Sequence, residues 1–60
     1  MINPKLEDVG RAVTYVSQGR PDEHGTITSI SKSFVFVQYQ GDNHSKATNR
    51  CDLHWRTKRT

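Results

Sequence analysis

The 60-residue chain has one cysteine, Cys51, so no disulfide can close within it. Small secreted domains usually depend on such staples. The opening Met1-Ile2-Asn3-Pro4-Lys5 also lacks the apolar stretch of a secretory leader, and no apolar run approaches the roughly 20 residues needed to span a bilayer. These absences lead us to expect a cytoplasmic protein with a reduced thiol and no membrane partner. Apolar residues are scarce too. They make up 32% of the chain, against roughly 45–50% in an average globular protein counted with glycine. A chain this short buries only about 60% of the surface its unfolded form exposes. A thick two-layer core is thereby excluded. The expectation is a single all-β domain over 1–60, a small barrel around one compact interior or one completed by a partner chain.

Charge is unevenly placed. Residues 1–30 hold three basic and four acidic side chains, residues 31–60 six and two, and the total is +3. A basic second half suits an acidic partner such as nucleic acid, although a basic surface also simply keeps a small domain soluble.

Asn3-Pro4 reads as a helix cap and first helical position, with Leu6 and Val9 sealing the barrel bottom and residues 1–8 forming an arm or short turn. Arg11–Val16 is the first predicted strand. Ser17–Glu23 is polar and turn-forming. His24–Ser31 is rich in β-branched residues, but Ile27 and Ile30 break strict alternation. A bulge between them would return both to the core. Phe34–Tyr39 is the clearest strand, joined to the second by a hairpin at Ser31-Lys32-Ser33. Ser45–Thr48 is a short fourth strand with Ala47 expected inside. Asp52–Trp55 reads as a one-turn 3₁₀ element entering a last strand, with Trp55 plugging the barrel against Leu53, Val9 and Leu6. Residues 56–60 form a basic tail.

The order Val9-Gly10-Arg11-Ala12-Val13, Gly25-Thr26-Ile27, Val35/Val37/Tyr39 and Asp52-Leu53 resembles SH3-like open barrels of the KOW and Tudor type. With Ser45-Lys46-Ala47-Thr48 ahead of Asp52-Leu53-His54-Trp55, it is most similar to small phage- or prophage-encoded proteins. The resemblance covers about residues 9–55 and implies five short strands with a 3₁₀ turn before the last. It carries over no catalytic residue, since this fold hosts many unrelated sites; a phage origin would place the protein in the host cytoplasm. Plasmid-borne type II dihydrofolate reductases share the architecture, but their Val-Gln-Ile-Tyr pore motif is not matched, because Val37-Gln38-Tyr39 lacks the isoleucine and lies on the central strand.

Alternation that turns Val35, Val37 and Tyr39 inward turns Phe34, Phe36 and Gln38 outward. Two exposed phenylalanines one pleat apart could stack unpaired bases or bury in a host protein or a second copy; alternatively, Phe36 is core. Lys32, Lys46 and Arg50 would sit nearby, so the candidate binding set is Lys32, Phe34, Phe36, Gln38, Lys46 and Arg50. This predicts a non-enzymatic module that binds RNA or DNA, or alternatively a protein-interaction module or homo-oligomer such as a modulator of a host protein. His24, His44, Cys51 and His54 are zinc-competent residue types, but only Cys51-x-x-His54 has ligand spacing, so no metal or other cofactor is expected. As a nucleophile and base, Cys51 and His54 would need a pocket of roughly 300 Å³ or more, for which so small a barrel leaves no evident room. Asp22-Glu23 reads as a solvated loop pair.

Overall fold

The computed structural model describes residues 2–56. It is an all-β domain: a 3₁₀ turn at Leu6–Asp8, then β1 (Ala12–Tyr15), β2 (Glu23–Ile30), β3 (Val35–Tyr39), β4 (Ser45–Thr48), a second 3₁₀ turn at Arg50–Asp52, and β5 (Leu53–Trp55). The five strands form one antiparallel sheet in the order β4-β3-β2-β1-β5.

That order forces curvature. In a flat sheet the two edge strands would stand about 19 Å apart, four spacings of about 4.8 Å. Only residues 49–52 join β4 to β5, and three of them coil as 3₁₀, which rises about 2 Å per residue. The sheet must curl so that its edges approach, yet they do not pair, and it is not closed into a tight barrel. Much of the bend lies in β2. Its register against β3 shifts between Ile27 and Ser29, so that Ile27 faces Val37 and Ile30 faces Val35. The expected bulge is therefore present and returns both isoleucines to one side. The Thr28 hydroxyl, beside the irregularity, donates to the Phe36 carbonyl (3.2 Å) and shares a 2.6 Å bond with Ser45 Oγ.

Inside the curl lie Ile2, Val13, Ile27, Val35, Val37, Tyr39 and Leu53, with Tyr15, Ile30 and Trp55 packed around them. Gly25 sits on β2 between Val13 and Tyr39. A Cβ there would meet Val37 Cγ1 at 2.6 Å and the Gln38 carbonyl oxygen at 2.8 Å, so only glycine lets the strands approach.

The N-terminal segment differs from expectation. Lys5, not Asn3, caps the first turn, and Leu6 and Val9 are 83% and 43% exposed, so neither packs on Trp55 as a core plug. Ile2 and Pro4 are buried instead. The reason is polar. The buried Asp8 carboxylate accepts from the Lys5 backbone N–H (2.9 Å) and from Arg11 Nη1 (3.1 Å), and the Arg11 guanidinium lies 4.1 Å from the Trp55 ring centre. Turning Asp8 inward turns Leu6 and Val9 out. A second correction concerns β4, where Ala47 is exposed and Thr48 is buried, because Thr48 pairs with inward-facing Val35 and Ala47 with Phe36. The second 3₁₀ turn also falls two residues earlier than predicted, at Arg50–Asp52, with the Asn49 side chain accepting from the Cys51 N–H. Of the basic tail, Arg56 is exposed and residues 57–60 lie outside those described. Among the described residues no helix is long and apolar enough to cross a membrane.

Candidate functional site

Where β4 curls toward the β1–β2 loop and the second 3₁₀ turn without pairing to them, an open cleft of about 410 Å³ remains. The room that so small a barrel was not expected to spare is therefore present, although neither Cys51 nor His54 lines it. Its floor is aromatic. Tyr15 and Tyr39 end β1 and β3, and both strands turn these positions to the inner side. Their rings meet edge to face, with centroids 6.1 Å apart and planes at 72°. Tyr39 is buried, and its hydroxyl shares a buried 2.6 Å bond with Thr48 Oγ1. Burial raises the Tyr39 pKa above 10.0. The Thr48 bond lowers it in part, and the charges of Glu23 and Asp52 add to the rise.

Phe34 stands on the cleft wall, 44% exposed. It precedes β3 and belongs to the β2–β3 turn. There the Ser31 N–H donates to the Phe34 carbonyl (2.9 Å) and the Phe34 N–H donates to Ser31 Oγ (3.0 Å). Phe36 is half-buried on the other face, beside Ala47 and Ser29. Of the two phenylalanines, Phe34 lines the cleft and Phe36 does not.

The remaining sequence candidates are dispersed. Lys46 pairs with inward-facing Val37 and lines the cleft, so it lies across the sheet from Phe36, and its ammonium is 3.4 Å from Asp42 Oδ2. Gln38 is exposed outside the cleft, and its Nε2 donates to the Asp42 carbonyl (3.1 Å). Arg50 is committed to the fold. Its guanidinium donates to the carbonyls of Ser31 (3.4 Å) and Lys32 (3.1 Å) and to Asn3 Oδ1 (3.5 Å). It ties the hairpin turn and the N-terminal arm to the second 3₁₀ turn. The Lys32 side chain is exposed at the hairpin tip.

Sequence reasoning missed Tyr15, Arg20, Glu23, Tyr39 and Asp52 as cleft residues. The usable signal was a tyrosine at the last position of two strands, since a tyrosine joins an apolar ring to a hydroxyl that seeks a hydrogen-bond partner. Arg20 reaches the cleft from a loop turned by Gly19 at φ +80°, where the Arg20 N–H donates to the Ser17 carbonyl (3.2 Å). Among the described residues no three of His, Cys, Asp and Glu converge to hold a metal. Comparison with protein-family models, curated proteins and solved structures finds no match to the chain.

Proposed function

We propose that this domain is a non-enzymatic protein-interaction module of SH3-like architecture, whose cleft receives an extended segment of a partner protein. The observation that carries the reading is the cleft itself, in which exposed Phe34 and the Tyr15–Tyr39 pair are rimmed by charges of both signs. A mixed polar rim around an aromatic centre is the composition of a protein interface. Binding single-stranded nucleic acid calls instead for cations and stacking rings on one surface. Here Arg50 is held by three oxygens of the fold, Lys46 is paired, Phe36 lies on the opposite face, and the Glu23 and Asp52 carboxylates would repel phosphate.

The test is selection of displayed random dodecapeptides on the wild type and on Phe34→Ala, together with ¹H–¹⁵N titrations using single-stranded RNA, single-stranded DNA and duplex DNA at low and near-physiological salt. Peptides retained by the wild type, lost with Phe34→Ala and shifting Tyr15, Phe34 and Tyr39 amides are expected. Oligonucleotide shifts spanning Lys32–Phe36 and Lys46–Arg50 that weaken with salt, without peptide enrichment, would overturn the reading in favour of nucleic acid.

A further inference from the structure

Resting on that module reading, we propose that the docked segment binds as an added strand on the free edge of β4. The occupant is a stretch of partner chain without net charge, apolar at alternate positions and held chiefly by main-chain hydrogen bonds. The charges of the cleft favour neither sign, since Arg20 and Lys46 balance Glu23 and Asp52. What the cleft offers is the edge of a strand. Lys46, Ala47 and Thr48 all line it, and Asn49 continues the row. Successive strand residues face opposite sides of a sheet, so a cleft lined by consecutive residues of β4 runs along the edge of that strand and not over one face. β4 is the outermost strand on this side and pairs with β3.

The register identifies the unspent main-chain groups. The Phe36 carbonyl accepts from Thr28 Oγ1 on β2 (3.2 Å), and the Gln40 N–H donates to the His24 carbonyl on β2 (3.0 Å). Phe36, Gln38 and Gln40 therefore aim their main-chain groups at β2, and Val35, Val37 and Tyr39 aim theirs at β4. Val37 pairs with Lys46 and Val35 with Thr48, so these two residues of β4 bond to β3. Ser45 and Ala47 turn their N–H and C=O groups the other way, to the open edge. Such an edge is a template for another strand. The one charged side chain of β4, Lys46, is matched by Asp42 at 3.4 Å, and the strand contains no proline. The β5 side differs. There the Arg50 carbonyl accepts from the N–H groups of both Leu53 and Ile2, so the N-terminal arm lies against that end. Across the cleft from β4 stands Tyr15, between its β2 partner Glu23 and Asp52, whose carbonyl accepts from the Val16 N–H (2.9 Å). A strand laid about 4.8 Å beyond β4 turns the residues opposite Lys46 and Thr48 to the inner side, toward the aromatic floor, and the residue opposite Ala47 to solvent. Main-chain bonds then give affinity, and the alternate inward side chains give selectivity.

The test alters main chain and leaves side chains in place. In the highest-affinity selected dodecapeptide each amide is N-methylated in turn, which removes one donor at a time. Binding should weaken about tenfold or more at every second residue of the docked stretch and change little between. On the protein, Ala47→Pro removes the outward N–H and spares the β3 ladder, a substitution that edge strands tolerate. It should keep a folded ¹H–¹⁵N spectrum and bind the unmodified peptide about tenfold or more weakly. Should that variant fail to fold, the N-methyl series on the wild type decides alone. Peptides that depend on Phe34 but show no period of two in the N-methyl series would overturn strand addition and leave the module reading standing. A wild type that sediments as a dimer without peptide, and as a monomer once Ala47 is proline, would overturn the partner segment and give the edge to a second copy. If the wild type enriches no peptide, strand addition and the module reading both fall.

Discussion

Adding one methyl group at Gly25 tests how tightly β2 and β3 are packed. In Gly25→Ala the new carbon would lie 2.6 Å from Val37 Cγ1, 2.8 Å from the Gln38 carbonyl oxygen and 3.1 Å from Tyr39 Cδ1. Carbon pairs are comfortable at about 3.5–4.0 Å, so the first contact is roughly an ångström too short. Neither close neighbour can yield cheaply, since Val37 is fully buried and the oxygen belongs to the backbone of the paired strand. The strands must part at the centre of the sheet. Overpacking of this kind costs about 1–3 kcal/mol, and the lost freedom of glycine in the unfolded chain returns about 0.4–1 kcal/mol. The net loss is about 1–2 kcal/mol, from a total of about 3–9 kcal/mol for a domain of this size. At about 4–8 °C per kcal/mol, the midpoint should fall by about 5–15 °C. Thermal and urea unfolding followed by circular dichroism would measure it, with Thr26→Ala, at the next, exposed position, as the control. A Gly25→Ala midpoint equal to or above that of the wild type would refute the packing account.

Arg50→Ala should destabilise the domain by about 1–2 kcal/mol, because it releases three oxygens of the hairpin turn and N-terminal arm; an unchanged urea midpoint would return Arg50 to the pool of free surface cations. Phe34→Ala should leave the unfolding midpoint within a few degrees, since its ring is half out in solvent, while abolishing peptide retention. Tyr39 governs the alkaline limb. With its folded pKa above 10.0, the unfolded chain loses that proton first, so its contribution is fully present below pH 10.0 and is lost as pH rises through the folded value. Tyr39→Phe should shallow the decline in urea midpoint above pH 10 while lowering the stability at pH 7 by about 1 kcal/mol for the lost Thr48 bond; an alkaline limb as steep as that of the wild type would refute the assignment.

The strands were legible because their signals are local. Val35, Val37 and Tyr39 alternate, and side-chain alternation is a property of the extended chain itself. The bulge in β2 was legible for the same reason, since two isoleucines three apart cannot both face in without it. The errors came where a polar contact or a strand register, rather than the apolar pattern, decided the matter. Leu6 and Val9 read as a seal for the barrel, but Asp8 between them is drawn inward by Arg11 and the Lys5 amide. Ala47 read as the inward residue of β4, yet its register against β3 sets Thr48 inside.

The candidate site divides along the same line. Composition and alternation determined a small all-β domain with one thin core, the inward set Val35, Val37 and Tyr39, and the outward side of Phe36 and Gln38. Only the tertiary structure decided which outward groups share a surface. The β3–β4 register puts Lys46 and Phe36 on opposite faces, the hairpin turn sends Phe34 to the cleft, and Arg50 is taken up by carbonyls 18 and 19 residues away. The cleft itself, with Tyr15 between Glu23 and Asp52, exists because four connecting residues pull the two edges of a curled sheet together without pairing them. A sequence records which groups are present, but the distances between them are set by how the sheet closes.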